Sequence, residues 1–247
     1  MRIVRRVLLL ALLAAVASVP FWGPRAGRRI AWFAAERVEV TGARMLAPHE
    51  VLKASGVAVG LNVWTDPAPY VAALRRDPAV ADAEITRVLP RTLRIRVTEK
   101  APAALVQAGT LRPATADGEV LAVDPARAPL DLPLFTGRVR VDGRGRITDA
   151  GTRAALAEAG RLGALEPALM ARVSEVRPAG PGALRLILST PAADLLVRDG
   201  ISPEAVVRLR AALDDVMRRA AADTTAHGRP VLDARFDDQV VVRRQGE

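Results

Sequence analysis

Arg87-Val88-Leu89-Pro90-Arg91-Thr92-Leu93-Arg94-Ile95-Arg96-Val97-Thr98-Glu99-Lys100-Ala101-Pro102 decides how the first half of this chain is read. Leu93, Ile95 and Val97 alternate with Arg94, Arg96 and Thr98, a period of two that gathers the apolar side chains on one face of a strand. Leu89-Pro90-Arg91 reads as a turn. Ahead of it Ala81, Ala83 and Ile85 alternate in the same way with Asp82, Glu84 and Thr86. The stretch is therefore expected to be a hairpin with one buried face.

Upstream, the apolar spacing changes to that of short helices. A strand at residues 38–40 ends in the turn Thr41-Gly42, and Pro48 then stands where a first helical position belongs. Val51 and Leu52 give that helix an apolar face, and Gly56 stops it after two turns. Asp66-Pro67 repeats the device, with Asp66 as N-cap, Val71 and Leu74 turned inward, and Asp77-Pro78 as the end. Strand, two helices and hairpin together predict an α+β unit over residues 36–103. It is a three-stranded sheet covered on one side by two helices, with an exposed strand edge open to strand addition.

Downstream, residues 104–247 read as a larger β-rich domain with helices. Short strands are expected near residues 104–106, 120–123, 139–141 and 184–188, separated by Gly and Pro turns. One helix over 149–165 carries Leu156, Ala159, Leu162 and Leu165. A second starts at Ser202-Pro203 and sets Val206, Leu209, Leu213 and Val216 along one stripe, with Asp214–Arg218 and Asp215–Arg219 pairs outside. The chain closes with Val231-Leu232-Asp233-Ala234-Arg235-Phe236-Asp237-Asp238-Gln239-Val240-Val241-Val242-Arg243, two β-branched runs joined through a polar middle.

The N-terminus carries a different signal. Residues 7–19 are an apolar run interrupted only by Ser18, in which Val7, Leu8, Leu9, Leu10, Leu12, Leu13, Val16 and Val19 are the bulk, preceded by Arg2, Arg5 and Arg6 and followed by Pro20-Phe21-Trp22. Counted through Trp22, the segment is about 24 Å long at 1.5 Å per residue, somewhat short of the roughly 30 Å of a bilayer core. Snorkelling of Arg5 and Arg6 and an interfacial Trp22 make up the difference. Residues 1–6 are then a cytoplasmic tail, 7–22 a single transmembrane signal anchor and 23–35 a linker. Ala15-Val16-Ala17 also resembles a signal-peptide cleavage site, which leaves a secreted alternative open.

Composition narrows the chemistry. The 247 residues are 50% hydrophobic but only 3% aromatic, so the cores are aliphatic and a ring-stacking cofactor cage has few rings to use. The net charge of +9 comes almost wholly from arginines spread along the chain, Lys53 and Lys100 being the lysines, so it reads as a solvated surface and not as a nucleic-acid patch. Without cysteine there is neither disulfide nor thiolate metal site. His49 and His227 fall in different domains, which makes a histidine metal site or triad inconvenient. Asp142-Gly143-Arg144-Gly145-Arg146 lacks the Lys-Ser/Thr end of a phosphate loop and reads as a hairpin turn. Asp233, Asp237 and Asp238 lack the spacing of a calcium loop. No catalytic, cofactor or metal set can be assembled.

Val38-Glu39-Val40-Thr41-Gly42, Gly60-Leu61-Asn62-Val63, Asp77-Pro78-Ala79-Val80 and the stretch 87–102 resemble a POTRA domain of the FtsQ (DivIB) family of bacterial cell-division proteins, the last stretch being the most specific. The closing segment around Asp233-Ala234-Arg235-Phe236 is similar to the end of that family's second domain, and Leu132-Pro133-Leu134 with Gly137 to its loop before the first long helix. Ala234 departs from the family, where a larger apolar residue is usual. The resemblance runs from Arg5 onward. It implies a non-catalytic divisome scaffold without cofactor, anchored once in the inner membrane with its bulk periplasmic, at the division septum. It further implies recruitment by other divisome components through the POTRA unit, and binding of FtsB and FtsL, small single-pass coiled-coil proteins, by the last strands. Phe236, Gln239, Val240, Val241, Val242 and Arg243 are the expected edge for strand addition; an internal strand paired on both sides fits the valine run as well. The alternative function is a POTRA-type chaperone of outer-membrane protein assembly or secretion, though such proteins carry several POTRA units or a long series of barrel strands.

Overall fold

The computed structural model describes residues 10, 13–14, 17–18, 26–128, 130–222, 228–236 and 238–244. The chain divides into two units, Met1–Glu99 and Lys100–Glu247. Among the described residues no helix is long and apolar enough to cross a membrane. Leu10 and Leu13 are helical and exposed, while Val7, Leu8, Leu9, Leu12, Val16, Val19 and Trp22 lie outside the described residues, as do His227 and Asp237.

In the first unit, strand β1 (Arg37–Thr41) is followed by helices α1 (Pro48–Ser55) and α2 (Ala68–Leu74) and by the hairpin β2 (Val80–Val88) and β3 (Thr92–Glu99). The sheet order is β1-β3-β2, with β1 parallel to β3 and β2 antiparallel to it. Leu93, Ile95 and Val97 are buried, as their alternation requires, against Val51, Val63 and Leu74. Gly56 closes α1 in the left-handed conformation at φ 72°. Glu50 receives the Ala47 N–H at 2.9 Å, taking up one of the orphan donors at the helix start.

Two expectations shift. Ala81 is exposed, because the register slips between Val80 and Asp82: a bulge leaves Ala81 as the extra residue and sends Val80 and Ala83 inward. Helix α2 begins at Ala68, and Asp66 bonds the Ala68 N–H at 3.1 Å from outside it; Val71 is half-buried and Leu74 carries the contact.

Glu99, the last residue of β3, accepts the backbone N–H groups of Arg44, Met45 and Leu46 at 2.8–3.0 Å. A carboxylate that collects three backbone donors fixes the loop leading into α1. At the other end of the sheet, residues 26–35 are bonded into the unit although the sequence reads as linker there. Asn62 Nδ2 donates to Gly27, Arg28 and Ile30 carbonyls at 3.1–3.2 Å, and Ala35 N–H to Leu61.

The second unit is built on an eight-stranded mixed sheet in the order β11-β10-β9-β8-β7-β6-β4-β5. Its elements are β4 (Pro102–Ala108), β5 (Thr110–Thr115), β6 (Leu134–Phe135), α3 (Ala150–Leu165), α4 (Pro167–Met170), β7 (Val173–Pro178), β8 (Ala183–Leu188), β9 (Ala193–Arg198), α5 (Pro203–Ala222), β10 (Pro230–Ala234) and β11 (Val241–Arg244). Leu184, Leu186 and Leu188, Ala193, Leu195 and Val197, and Leu232 and Ala234 alternate along their strands and share one core with Leu156, Ala159, Leu162, Val206, Leu209 and Leu213. Helices therefore cover one face of the sheet.

The expected strands at 120–123 and 139–141 make only isolated bridges, Ala114 with Val120 and Val141 with Ile147. Asp142 accepts the N–H groups of Arg144 and Arg146 at 2.8 and 2.9 Å, which holds its carboxyl below the usual range and closes the turn. Buried Glu158 on α3 takes the Gly200 N–H at 3.0 Å, and Arg161, paired with it at 2.5 Å, donates to Ile201 O at 2.7 Å. This pair fixes the approach to α5. On that helix Asp215 holds Arg219 at 2.6 Å and also Arg218 at 3.4 Å, so Arg218 turns to Asp215 and not to the expected Asp214.

Candidate partner-binding edge

β10 joins β9 in parallel, with Leu232 opposite Leu195, and β11 folds back antiparallel with Val242 opposite Leu232 and Val241 opposite Asp233. β11 is the margin of the sheet, with a neighbour on one side only among the described residues. In an antiparallel pair alternate residues send both backbone groups to the same neighbour. The remaining N–H and C=O groups of β11 point away from the sheet.

Two charged clamps hold this hairpin. At its start, Arg229 Nε lies 2.6 Å from Asp194 Oδ1 on β9, while Arg229 Nη2 donates to the carbonyls of Leu188 and Ala193 at 2.8 and 3.2 Å. The Nε contact is Coulombic, since its N–H is not aimed along the line to the oxygen. Arg185 approaches the other Asp194 oxygen at 3.5 Å, so the buried carboxylate faces two guanidinium groups. At the end of β10, Arg235 grips buried Asp233 with both arms, at 2.9 and 2.7 Å, and its own N–H reaches Oδ1 at 3.2 Å. Those side-chain bonds, foremost, hold the Asp233 carboxyl below the usual range.

The same grip turns the backbone and ends β10 at Ala234. Phe236 and Gln239 consequently lie in the connection and not on the strand, which begins at Val241; the expected edge over 236–243 is corrected to that extent. Val240 is half-buried and packs on the core, whereas Val241, Val242 and Arg243 lie on β11. Two apolar side chains stand open here, Phe236 at 41% and Val242 at 46% exposure. Arg244, opposite Pro230, completes the strand and is not singled out by the sequence; its position two beyond the β-branched run is the available signal. Ala234 is buried at 1% with no larger group in its place.

The arrangement offers backbone pairing, two apolar contacts and a positive flank from Arg243 and Arg244. Among the described residues no three His, Asp or Glu side chains gather as a metal site would require, and His49 is exposed on α1.

Residues 33–100 match the POTRA domain, FtsQ-type. The chain is similar to the cell division protein FtsQ of Rhodothermus marinus, 30% identical over 251 aligned positions that cover 98% of this chain and 89% of the relative. It is similar too to those of Anaeromyxobacter sp., 33% identical over 55% of this chain and 47% of the relative, and of Streptomyces collinus, 35% identical over 57% and 55%. The last two matches span about half the length of those relatives.

Proposed function

The chain belongs to the FtsQ family of cell division proteins, and from that premise we propose that it acts as a non-catalytic divisome scaffold that binds a partner by strand addition at β11. The partner is an FtsB/FtsL-like pair of single-pass coiled-coil proteins, and the first unit takes other divisome components. Residues 7–22 hold the molecule in the inner membrane at the septum with residues 1–6 cytoplasmic, and units at 36–103 and 104–247 stand outside. The observation that carries this reading is the position of β11 as an open sheet margin beside exposed Phe236 and Val242.

Magnitudes say what the edge must supply. A ladder hydrogen bond contributes about 0.5–1.5 kcal/mol net, while fixing each residue of an incoming strand costs roughly 1–2 kcal/mol. Backbone pairing alone thus fails to hold a flexible segment. Burial of apolar area at about 25 cal/mol per Å² is needed as well, and Phe236 and Val242 are the side chains placed to provide it. Arg243 and Arg244 favour a partner strand with acidic residues at its flank.

The test is capture of a purified FtsB/FtsL-type pair by the full chain. Val241→Pro removes an N–H and a strand conformation and abolishes capture, while the first unit stays folded. Val242→Glu, which leaves the backbone intact, weakens capture at least tenfold, about 1.4 kcal/mol. Undiminished capture by both variants would contradict the assignment.

A further inference from the structure

Four large apolar side chains stand exposed among the described residues 26–99: Ile30 at 47%, Trp32 at 58%, Val59 at 68% and Leu89 at 55%. All four sit at one end of the first unit. Ile30 caps the 3-10 turn Ala31–Phe33 and Trp32 is its middle residue; Val59 precedes Gly60, whose N–H bonds Ala35 O at 2.8 Å. Leu89 lies in the β2–β3 turn, where Arg91 O accepts the Glu36 N–H at 2.8 Å and Arg91 Nε reaches Ala34 O at 3.2 Å. Three loops thus meet at residues 34–36. The opposite end of the sheet, seven residues along β3 and about 24 Å away at 3.4 Å per residue, holds Arg44 and Glu99.

The tip is rigid. Phe33 packs edge-on between Trp32 and Trp64, with ring centroids 5.2 and 5.9 Å away, and the Arg87 guanidinium lies 5.5 Å over the Trp64 ring. Gly27 allows that ring to close, since a Cβ there would stand 2.5 Å from Trp64 Cδ1. Arg28 and Arg29 are exposed beside it; of the two acids in these loops, Glu36 is paired with Arg91 at 2.5 Å and Asp66 accepts the Ala68 N–H at 3.1 Å. Apolar and indole side chains framed by unpaired basic charge are what a headgroup layer containing anionic lipid accepts.

We infer that this tip, through Ile30, Trp32, Val59 and Leu89 with Arg28 and Arg29, rests in the headgroup layer of an anionic bilayer. The inference depends on the reading of residues 7–22 as a membrane span. Given that span, reach decides the occupant: three residues separate Trp22 from residue 26, and the four steps between them extend at most about 14 Å. The headgroup layer is roughly 5–7 Å deep on each side. The tip cannot stand far from lipid, and a lipid surface is covered more readily by it than by any soluble partner.

The chain lacks cysteine, so Val59→Cys, Leu89→Cys and, at the far end, Arg44→Cys each give a unique site for an environment-sensitive dye in the full chain. After reconstitution in phosphatidylcholine–phosphatidylglycerol vesicles, dyes at 59 and 89 emit to the blue of the dye at 44. They are quenched several-fold more by lipids carrying a shallow nitroxide, and resist aqueous iodide. Trp32→Glu abolishes the lipid quenching at 59 while the chain remains in vesicles through a carbonate wash. Retention in vesicles with dyes at 59 and 89 as open to iodide as that at 44 overturns the tip assignment alone. Protection from both quenchers overturns it in favour of a second copy. Loss of the chain in the wash overturns the span, and the tip with it.

Discussion

Glu99 accepts three backbone N–H groups of residues 44–46, and no other side chain takes them. Its removal leaves part-buried donors unmet, at about 1–3 kcal/mol. Glu99→Ala is expected to lower the stability of the first unit by that amount, read from urea unfolding followed by Trp64 fluorescence, and Glu99→Gln recovers part of it. Asp233 makes a different prediction. Its folded carboxyl is held below the usual range, first by the side-chain bonds from Arg235. A depressed folded value stabilises fully above the unfolded value and loses that contribution as pH falls through the folded one. The β10–β11 hairpin therefore loosens at a pH below the ordinary carboxylate range, seen as amide shifts of Ala234 and Arg235 by NMR. Asp233→Asn flattens that pH dependence.

At the scale of elements, what could be read from sequence was what one face and one pair of punctuating residues specify. Pro48 and Gly56 bound α1, and Leu93, Ile95 and Val97 gave β3 its face. Asp149 caps α3, taking the Thr152 N–H at 2.7 Å, as its place before the apolar stripe suggests. Asp149→Ala is expected to cost about 1 kcal/mol, measured as a shift in the thermal midpoint of the second unit. Four strands gave no such signal. β9 lies between two neighbours and carries apolar Leu196 where the alternation of Ala193, Leu195 and Val197 with Asp194 and Arg198 calls for a polar residue, which blurs its period of two. β7 slips register between Val173 and Glu175, which breaks its period of two, and β6 is two residues long. β5 contains Pro113, which argues against a strand. Valines at 120–123 and 139–141 imitate strands but are tied into turns by Gly118, at φ 82°, and by Asp142. The candidate edge was legible as a valine run; where it begins was not, because a side-chain grip two residues long, Asp233 on Arg235, sets the bend.

At the scale of the molecule, the two units keep separate cores, one around Ile95 and Leu74 and one around Leu186 and Leu209. Both proposed contacts fall on margins: a sheet edge in the second unit and an apolar tip in the first. The sharpest test of the central claim is hydrogen exchange at β11 in the full chain, with and without an FtsB/FtsL-type pair. Strand addition predicts that alternate amides across residues 241–244, fast in the free protein, become protected when the pair is added. Protection that gathers elsewhere on the chain while those amides go on exchanging at their free rate would contradict it.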